Sequence, residues 1–340
     1  MSLKRIAEEL GLSLTTVSRA LNGYPEVAAA TREAVREAAA RLDYQPNATA
    51  RGLALGRANA VGLVFPVTPG DLGDSLFLEV AAAMGGRFAR ENIDLLIISA
   101  QPDAEMAAYE RAIRARRVDA FVVARTRVED ARLALLQERG VPFVAYGRSD
   151  GLRTPYAWFD FDNERGARLA AERLLGLGHR RIGYLGAPQE YNFAAQRFAG
   201  FGAALSAAGL APAAVQRVGL DRASGFAAMQ GLLALDAPPT AVLVDNHLAG
   251  VGAVHAVLSA GLAPGRDVSL IVYGGLDADA LVPSAVTAVR PPTPAATGLA
   301  LAELVLGRLR GEPVEGLQVL RQPALEIGAS DGPPAAGARR

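Results

Sequence analysis

The sequence predicts a small helical unit at the N-terminus, containing a helix-turn-helix, followed by an α/β unit of two lobes. In the first 57 residues, apolar residues recur at helical spacing and the pattern is broken at Gly11 and at Asn22-Gly23. From Ala60 onward, short apolar runs alternate with helical patterns, which predicts parallel strands joined by helices. The 340 residues are too many for one ordinary core, so two or three domains are expected.

Three short helices are predicted in the first 57 residues. Ser2 and Ser13 can cap the first two helices, and Gly11 and Asn22-Gly23 can end them. A third helix is expected from about Thr31 to Leu42. Three helices with a tight glycine turn between the first two describe a helix-turn-helix unit.

The second helix is predicted to expose a face made of Leu14, Thr15, Ser18 and Arg19. A helix seated by its other face can enter a DNA major groove, where Arg19 could donate two hydrogen bonds to guanine. Thr15 and Ser18 could reach base edges or phosphates, and Leu14 a thymine methyl. A small helical bundle with a solvated polar face explains the same pattern, which therefore leaves both interpretations open.

The segment after the third helix predicts a short helix that needs a partner. Tyr44-Gln45-Pro46 ends the third helix, because a residue before proline avoids the α region. Residues 47–55 could form one helix, and isolated helices under about 12 residues are marginal in water. Leu53 and Leu55 could enter a minor-groove base step. A flexible linker with incidental leucines is the alternative.

The remaining chain predicts a doubly wound α/β fold. Seven apolar segments are typical of buried parallel strands: AVGLVFPV, DLLIISA, DAFVVAR, PFVAYGR, RIGYLGA, AVLVDN and VSLIVYGG. About ten strands exceed one sheet of ordinary size, so two lobes are expected. Ligands of such folds bind beyond the carboxyl ends of the strands. The residues from Ala329 predict a disordered tail.

Composition and motifs exclude several classes of protein. The chain has no cysteine, so disulfides, thiolate metal sites and cysteine nucleophiles are excluded. The N-terminus lacks the apolar run of a signal peptide, and no stretch of about 18 apolar residues occurs, so a cytoplasmic protein without membrane contact is expected. P-loop, G-x-S-x-G and strand-associated G-x-G-x-x-G motifs are absent. We therefore expect no enzyme, no cofactor and no metal.

The N-terminal run resembles the LacI/GalR (lactose-repressor-like) family of bacterial regulators. The resemblance is carried by LKRIAEELGLSLTTVSRALNGYPEV and TREAVREAAARLDYQPNATARGL, in which TTVSRALNG and Y-x-P-N-x-x-A-R-x-L are signature pieces. It implies that DNA bases are read by one set of residues, that the DNA backbone is contacted by a second, and that a hinge helix meets the minor groove. The implied base-reading residues are Leu14, Thr15 and Arg19; the backbone contacts are Ser18, Asn22, Thr31 and Tyr44; the hinge contacts are Ala50 and Leu53; Thr16 and Asn47 are further DNA-binding candidates.

The resemblance continues to about Ile327 and implies an effector domain similar to periplasmic sugar-binding proteins. Its phrases include RRVDAFVV, GVPFVAYGR, FDNERGARLAAERLLGLGHRRIGYLG and SAVTAVRPP. The chain is expected to cross between lobes near Phe159, Arg290 and Gln322. The expected organisation is a helix-turn-helix domain over 1–45, a hinge over 46–57, an effector domain over 58–328 and a tail over 329–340. Within the effector domain, the N-terminal lobe takes about 58–158 and 291–321, and the C-terminal lobe about 159–290 and 322–328.

Candidate effector-binding residues combine this resemblance with side-chain chemistry. The fork of Arg197 could grip two adjacent hydroxyls, although an ordinary surface arginine gives the same pattern. Asn246 offers a donor and an acceptor, and Asp245 is either a second ligand group or a helix N-cap. Aromatic faces stack on sugar rings, but a lone tryptophan is more often core. The candidates are Phe77, Trp158, Asn163, Arg165, Arg197, Asp245, Asn246 and Asp277.

Two departures from the family pattern affect the effector. Many relatives carry an acidic pair where this chain has Gly274-Gly275, and an aromatic residue where Leu220 stands. Asp277 could replace the missing carboxylate, and a larger ligand such as a disaccharide would fit the space. NGYPEV and TPYAWFDFDNERG are similar to regulators of α-glucoside use.

The resemblance implies partners as well as a fold. We expect a homodimer or tetramer that binds a pseudo-palindromic double-stranded operator and represses carbohydrate-utilisation genes under control of a mono- or disaccharide. A regulator responding to a nucleobase or another metabolite is the alternative, and a sugar-metabolising enzyme the remote one. Induction and corepression both stay open.

Overall fold

The computed structural model describes residues 3–21, 23–44, 57–66, 74–276, 280 and 285–335. The chain divides into two compact units, Met1–Asn59 and Ala60–Arg340. The predicted hinge contacts Asn47, Ala50 and Leu53, together with Asn22, lie outside the described residues.

The N-terminal unit is the predicted bundle of three helices: α1 (Leu3–Leu10), α2 (Leu14–Leu21) and α3 (Ala29–Arg41). Helix α3 begins two residues earlier than the sequence predicts. The Ser13 hydroxyl accepts the Thr16 N–H at 3.1 Å, which confirms the predicted cap of α2. Ile6, Val17 and Val35 are fully buried and hold the three helices together through their apolar faces.

The first lobe of the second unit contains a parallel sheet of six strands. The strands are β1 (Ala60–Pro66), β2 (Asp94–Ala100), β3 (Ala120–Val123), β4 (Phe143–Tyr146), β5 (Ala157–Phe161) and β11 (Gln318–Arg321), in the order β11-β5-β4-β3-β1-β2. Helices α4 (Ser75–Ala89) and α11 (Pro294–Leu309) cover one face, and α5 (Glu105–Arg114) and α6 (Ala131–Glu138) cover the other. Strands buried on both faces explain the nearly continuous apolar runs of the sequence.

The second lobe repeats this architecture with a different edge. Its strands are β6 (Ile182–Gly186), β7 (Ala214–Arg217), β8 (Ala241–Val244), β9 (Ser269–Tyr273), β10 (Thr287–Arg290) and β12 (Ala324–Glu326), in the order β12-β10-β9-β8-β6-β7. Only β12 runs antiparallel to its neighbour among these strands. Helices α7 (Asn163–Gly176) and α8 (Asn192–Ala207) pack on one face, and α9 (Arg222–Leu233) and α10 (His247–Ser259) on the other.

The chain crosses between the lobes three times: after β5, after β10 and between β11 and β12. The crossings expected near Arg290 and Gln322 fall where the structure has them. The first crossing was expected near Phe159 to within several residues, and it follows Phe161, because β5 pairs with β4 and β11 in the sheet of the first lobe.

The prediction of a disordered tail is wrong for Ser330 and Asp331, which directly follow Ala329. Ser330 is fully buried, donates its hydroxyl to the Leu270 carbonyl at 2.6 Å and accepts the Thr287 N–H at 2.9 Å. Asp331 pairs with Arg173 at 2.7 Å. The small polar residues of this segment are typical of loops, but here their hydrogen bonds attach it to β9 and β10.

Candidate functional site

Helix α2 presents the exposed face that the sequence predicts. Leu14 is 49% exposed and the Arg19 side chain 53% exposed, while Thr15 is exposed and Ser18 half-buried. Val17 and Ala20 on the opposite face are fully buried, so α2 is fixed in place by its neighbours. The structure thus brings four predicted DNA-binding residues together on one face of α2, the face opposite Val17 and Ala20.

Arg19 on this face is only weakly engaged within the protein. Its Nη1 lies 4.0 Å from Oε1 of Glu26, whose side chain is 49% exposed. Exposed ion pairs of this kind contribute about 0–1 kcal/mol, so the guanidinium can leave Glu26 at little cost. A guanidinium so placed can donate its fork of N–H groups to a guanine edge or to a phosphate.

Three other predicted DNA contacts have structural partners within the N-terminal unit. The Thr16 hydroxyl lies 2.8 Å from the Ser13 hydroxyl, so Thr16 helps to form the N-terminus of α2. Thr31 is half-buried in the first turns of α3, and Tyr44 packs against the apolar core.

A cavity of about 330 Å³ lies between the two lobes of the second unit, at the carboxyl ends of strands from both sheets. Strands β4, β5, β8 and β9 each end at its wall, which is where open α/β folds bind ligands. Its aromatic lining consists of Phe77, Tyr146, Phe161, Phe193 and Tyr273.

Arg197 lines this cavity and is held from several sides. Its Nε donates to Asn163 Oδ1 at 2.9 Å and its Nη1 to the Asp245 carbonyl. Its guanidinium lies 3.5 Å from the centre of the Tyr273 ring and 4.7 Å from that of Phe193. These contacts fix the plane of the donor fork, which is the geometry needed to hold two neighbouring oxygens of a ligand.

Asn163 is fully buried and connects Arg197 to the first lobe. Its Nδ2 donates to Asp160 Oδ1 at 3.1 Å, and its Oδ1 accepts from Arg197. Burial raises the pKa of Asp160, although the hydrogen bond and charge of Arg148 oppose the rise. A continuous chain of polar contacts therefore runs across the base of the cavity.

The sequence left open whether Asp245 is a ligand group or the N-cap of the next helix, and the structure gives the cap to Asn246. Both Asp245 oxygens accept the Ala187 N–H, at 3.0 and 2.9 Å, and the side chain is outside the cavity lining. Asn246 caps α10 by accepting the Ala249 N–H at 2.9 Å, and it also lines the cavity. Burial raises the pKa of Asp245 although Arg197 opposes the rise. Asp245 is thus not the cap of α10, and its side chain is held by the Ala187 N–H.

A contact between an imidazole and a carboxylate spans the cavity between the lobes. His247 Nε2, in the second lobe, lies 3.2 Å from Oδ1 of Asp74, which caps α4 in the first lobe. Burial raises the pKa of Asp74, but the hydrogen bond and charge of His247, with the Phe77 N–H and Arg125, outweigh it and lower that pKa.

Two buried polar atoms at the cavity, Tyr273 Oη and Thr297 Oγ1, have no hydrogen-bond partner among the described residues. Unsatisfied buried polar groups are costly and uncommon. Their grouping at one cavity is typical of a site completed by a polar ligand.

Other predicted effector residues have mixed positions. Phe77 lines the cavity and stacks on Phe65, with ring centres 4.3 Å apart. Trp158 does not reach the cavity, because it packs on the other face of β5, against the core beneath α5 and α6. Arg165 is exposed outside the cavity, and its backbone N–H is taken by Asp162, which caps α7. Asp277 lies outside the described residues.

Two family models match the chain. Residues 58–317 match "Periplasmic binding proteins and sugar binding domain of LacI family", and residues 2–47 match "Bacterial regulatory proteins, lacI family". The chain belongs to the LacI family. It is therefore a DNA-binding transcriptional regulator and not an enzyme.

Three known proteins illustrate how this LacI-family regulator relates to others. It is 38% identical over 332 residues to the HTH-type transcriptional regulator RafR of Escherichia coli, covering 97% of this chain and 98% of that protein. A lac repressor dimer bound to operator and the anti-inducer ONPF is 26% identical with a TM-score of 0.83, covering 97% of this chain and 98% of that one. A CelR–cellobiose complex is 28% identical with a TM-score of 0.72, covering 97% and 99%.

The LacI-family cavity includes residues that the sequence analysis did not select. Asp74, Asp160, Tyr273 and Thr297 all line it. Asp160 lies next to Phe159, near which the sequence predicts the first crossing between the lobes, and this position could have identified it. Thr297 lies inside α11 and gave none. Within the described part of the regulator, no helix is long and apolar enough to span a membrane.

Proposed function

We propose that this LacI-family protein is an operator-binding repressor of carbohydrate-utilisation genes, controlled by a mono- or disaccharide that binds between the lobes. The observation that carries the effector part is the polar chain Asp160–Asn163–Arg197 beside an aromatic-lined cavity. Sugars present a ring with apolar faces and hydroxyls at its edge, so they need both kinds of lining.

The aromatic contacts favour a saccharide over a nucleobase. Arg197 covers a face of Tyr273 and also lies over the Phe193 ring, which in turn stacks on the nearly parallel ring of Tyr191 with ring centres 5.7 Å apart. These two aromatic side chains therefore have little free face on which a planar base could stack. Hydroxyl groups, in contrast, can use the remaining donors of Arg197 directly.

At two lining positions this chain has smaller residues than many relatives, which supports a ligand larger than one sugar ring. Gly274 and Leu220 both line the cavity. A Cβ on Gly274 would lie 3.4 Å from Cβ of His247, so any longer side chain there would narrow the space. This supports a disaccharide as the preferred effector.

The DNA part of the proposal rests on α2. Leu14, Thr15 and Arg19 would read bases while Ser18, Thr31 and Tyr44 contact the DNA backbone. Two subunits would read the two halves of a pseudo-palindromic site, as expected for a symmetric dimer. The known lac repressor structure, a dimer bound to operator, supports this arrangement. Such a regulator would act in the cytoplasm, where bacterial genomic DNA lies.

The experiment uses the full chain in two steps. Thermal-shift and calorimetric titrations with glucose, galactose, cellobiose, maltose and melibiose test the effector, with adenine and guanine as the competing class. Selection from random duplex DNA then tests for a preferred site. We expect at least one saccharide, but neither base, to bind, and a preferred palindromic duplex to emerge. Binding of a base alone, or absence of any sequence preference, would contradict the proposal.

A further inference from the structure

Arg290 lies in the cavity wall next to a crossing of the chain between the lobes. It is the last residue of β10, immediately before the chain crosses back to the first lobe at Pro291. Its side chain lines the cavity together with Gly274 and His247. A cation at this place borders both the cavity and a crossing between the lobes.

Two hydrogen bonds fix the guanidinium of Arg290. Its Nη1 donates to the Gly274 carbonyl at 3.0 Å, and its Nε donates to Oε2 of Glu326, in β12, at 3.1 Å. Together they hold the planar group across the start of the segment that follows β9. Among the described residues, Nη2 has no recorded hydrogen-bond partner.

Gly275 is needed for this placement. A Cβ on Gly275 would lie 2.1 Å from Arg290 Nη1 and 2.4 Å from its Cζ, distances that no side chain can adopt. The φ of Gly275 is +80°, so the backbone conformation also favours glycine. The guanidinium of Arg290 thus fills the space that a side chain at position 275 would take.

We propose that Arg290 determines which saccharide the cleft prefers, by donating from Nη2 to a ligand oxygen at this wall. The inference rests on the proposed function, in which a saccharide occupies the cavity. A guanidinium carries donors and no acceptor, so this wall recognises an oxygen that accepts a hydrogen bond. A saccharide whose stereochemistry places a C–H group there leaves the donor unmatched and binds more weakly.

The test measures selectivity in the full-length protein by calorimetry with glucose, galactose, cellobiose, maltose and melibiose. Arg290→Ala is expected to weaken the best-bound saccharide about tenfold or more, as for other charged hydrogen bonds. The variant is also expected to lower, by about fivefold, the ratio of the dissociation constant of the second-best saccharide to that of the best one. A residue that only stabilises the fold would weaken all saccharides equally, so the ratio separates the two roles.

Matched variants isolate the guanidinium from its surroundings. Gly275→Ala is expected to reproduce the loss of preference, because the added Cβ displaces Arg290. Gly261→Ala is its control, since Gly261 has a similar φ of +74° but no atom near the added Cβ. Glu326→Gln removes only the ion pair and should leave affinity within about twofold.

The outcomes separate this inference from the proposed function. If the wild type binds a saccharide and Arg290→Ala leaves both affinity and preference unchanged, or weakens every saccharide equally, Arg290 has no part in specificity while the effector site stands. If the wild type binds no saccharide, the proposed function is wrong and this inference with it. Should Gly275→Ala fail to fold, Arg290→Ala alone decides.

Discussion

The exposed face of α2 and the cavity between the lobes represent two different ways of building a binding site. Arg19 on α2 is half-exposed and touches one equally exposed carboxylate at 4.0 Å. Arg197 in the cavity is fixed by Asn163, the Asp245 carbonyl and two aromatic rings. The first site leaves its arginine with one weak exposed contact, whereas the second holds its arginine from several sides within the folded protein.

Because of this difference, substitutions at the two sites are expected to affect different properties of the protein. A substitution on the α2 face removes contacts to DNA and leaves the N-terminal core intact, because that core uses the opposite side of the helix. A substitution in the cavity also leaves buried partners without hydrogen bonds. Cavity variants should therefore affect both ligand affinity and stability, and α2 variants only DNA affinity.

The largest effect is expected for Arg197→Ala. Loss of the fork, with Asn163 Oδ1 and the Asp245 carbonyl left unmatched, should cost about 3 kcal/mol or more in saccharide binding. Calorimetry on the full chain measures it, and Arg266→Ala, which removes an exposed arginine paired with Asp267, is the control. Saccharide affinity equal to that of the wild type would remove Arg197 from the site.

The next effect is expected for Arg19→Ala, which should weaken the preferred duplex by about 1–3 kcal/mol and relax one base preference. Arg36→Ala is the matched control, since it removes an equally exposed arginine of the same unit, paired with Glu33. Fluorescence anisotropy with the preferred and scrambled duplexes gives both numbers. Equal weakening on both duplexes would make Arg19 a phosphate contact instead of a base-reading residue.

A smaller effect is expected for Asp74→Asn, which keeps the N-cap of α4 but removes the charge facing His247 and Arg125. Because the folded-state pKa of Asp74 is lowered, its contribution is present above the unfolded-state value near 3.8 and is lost as pH falls through the folded-state value. The variant should lose about 1 kcal/mol of unfolding free energy at pH 7, and the loss should vanish below that window. A loss that is constant with pH would show that the charge is not responsible.

The smallest effect on the cavity is expected for Trp158→Phe. Trp158 packs against the core on the far side of the sheet, under Arg148, whose guanidinium lies 5.6 Å from its ring centre. The substitution should lower stability by roughly 1–2 kcal/mol while changing saccharide affinity less than about twofold. A large loss of affinity without loss of stability would contradict this placement.

The sequence predicted the two sites unequally, for a physical reason. The α2 face follows from helical spacing alone, since Val17 and Leu21 show which side is buried and the other residues must be exposed. The cavity depends on where loops place side chains after two sheets have formed. Asn246 and Phe77 line it as expected. Trp158 does not, because strand alternation places it on the other face of β5, and Arg165 is exposed outside the cavity.

The C-terminal segment is a second case in which local sequence did not predict the structure. Its composition predicts disorder, yet Ser330 and Asp331 are held by Leu270, Thr287 and Arg173. These partners lie far away in the sequence, so no local sequence pattern predicts the contacts with them. The seven apolar runs are local features, and each of them forms a strand, whereas the docking of polar side chains on distant strands was not predictable.

Control of operator binding by a saccharide requires that the cavity and the proposed DNA-reading helix α2 are energetically coupled. The direct measurement is the affinity of the full-length protein for its preferred duplex, with and without a saturating saccharide identified by calorimetry. We predict that the saccharide changes the affinity for the duplex by about 5- to 150-fold, and that the duplex changes the affinity for the saccharide by the same factor. A saccharide that binds the cavity and leaves duplex affinity unchanged would contradict it.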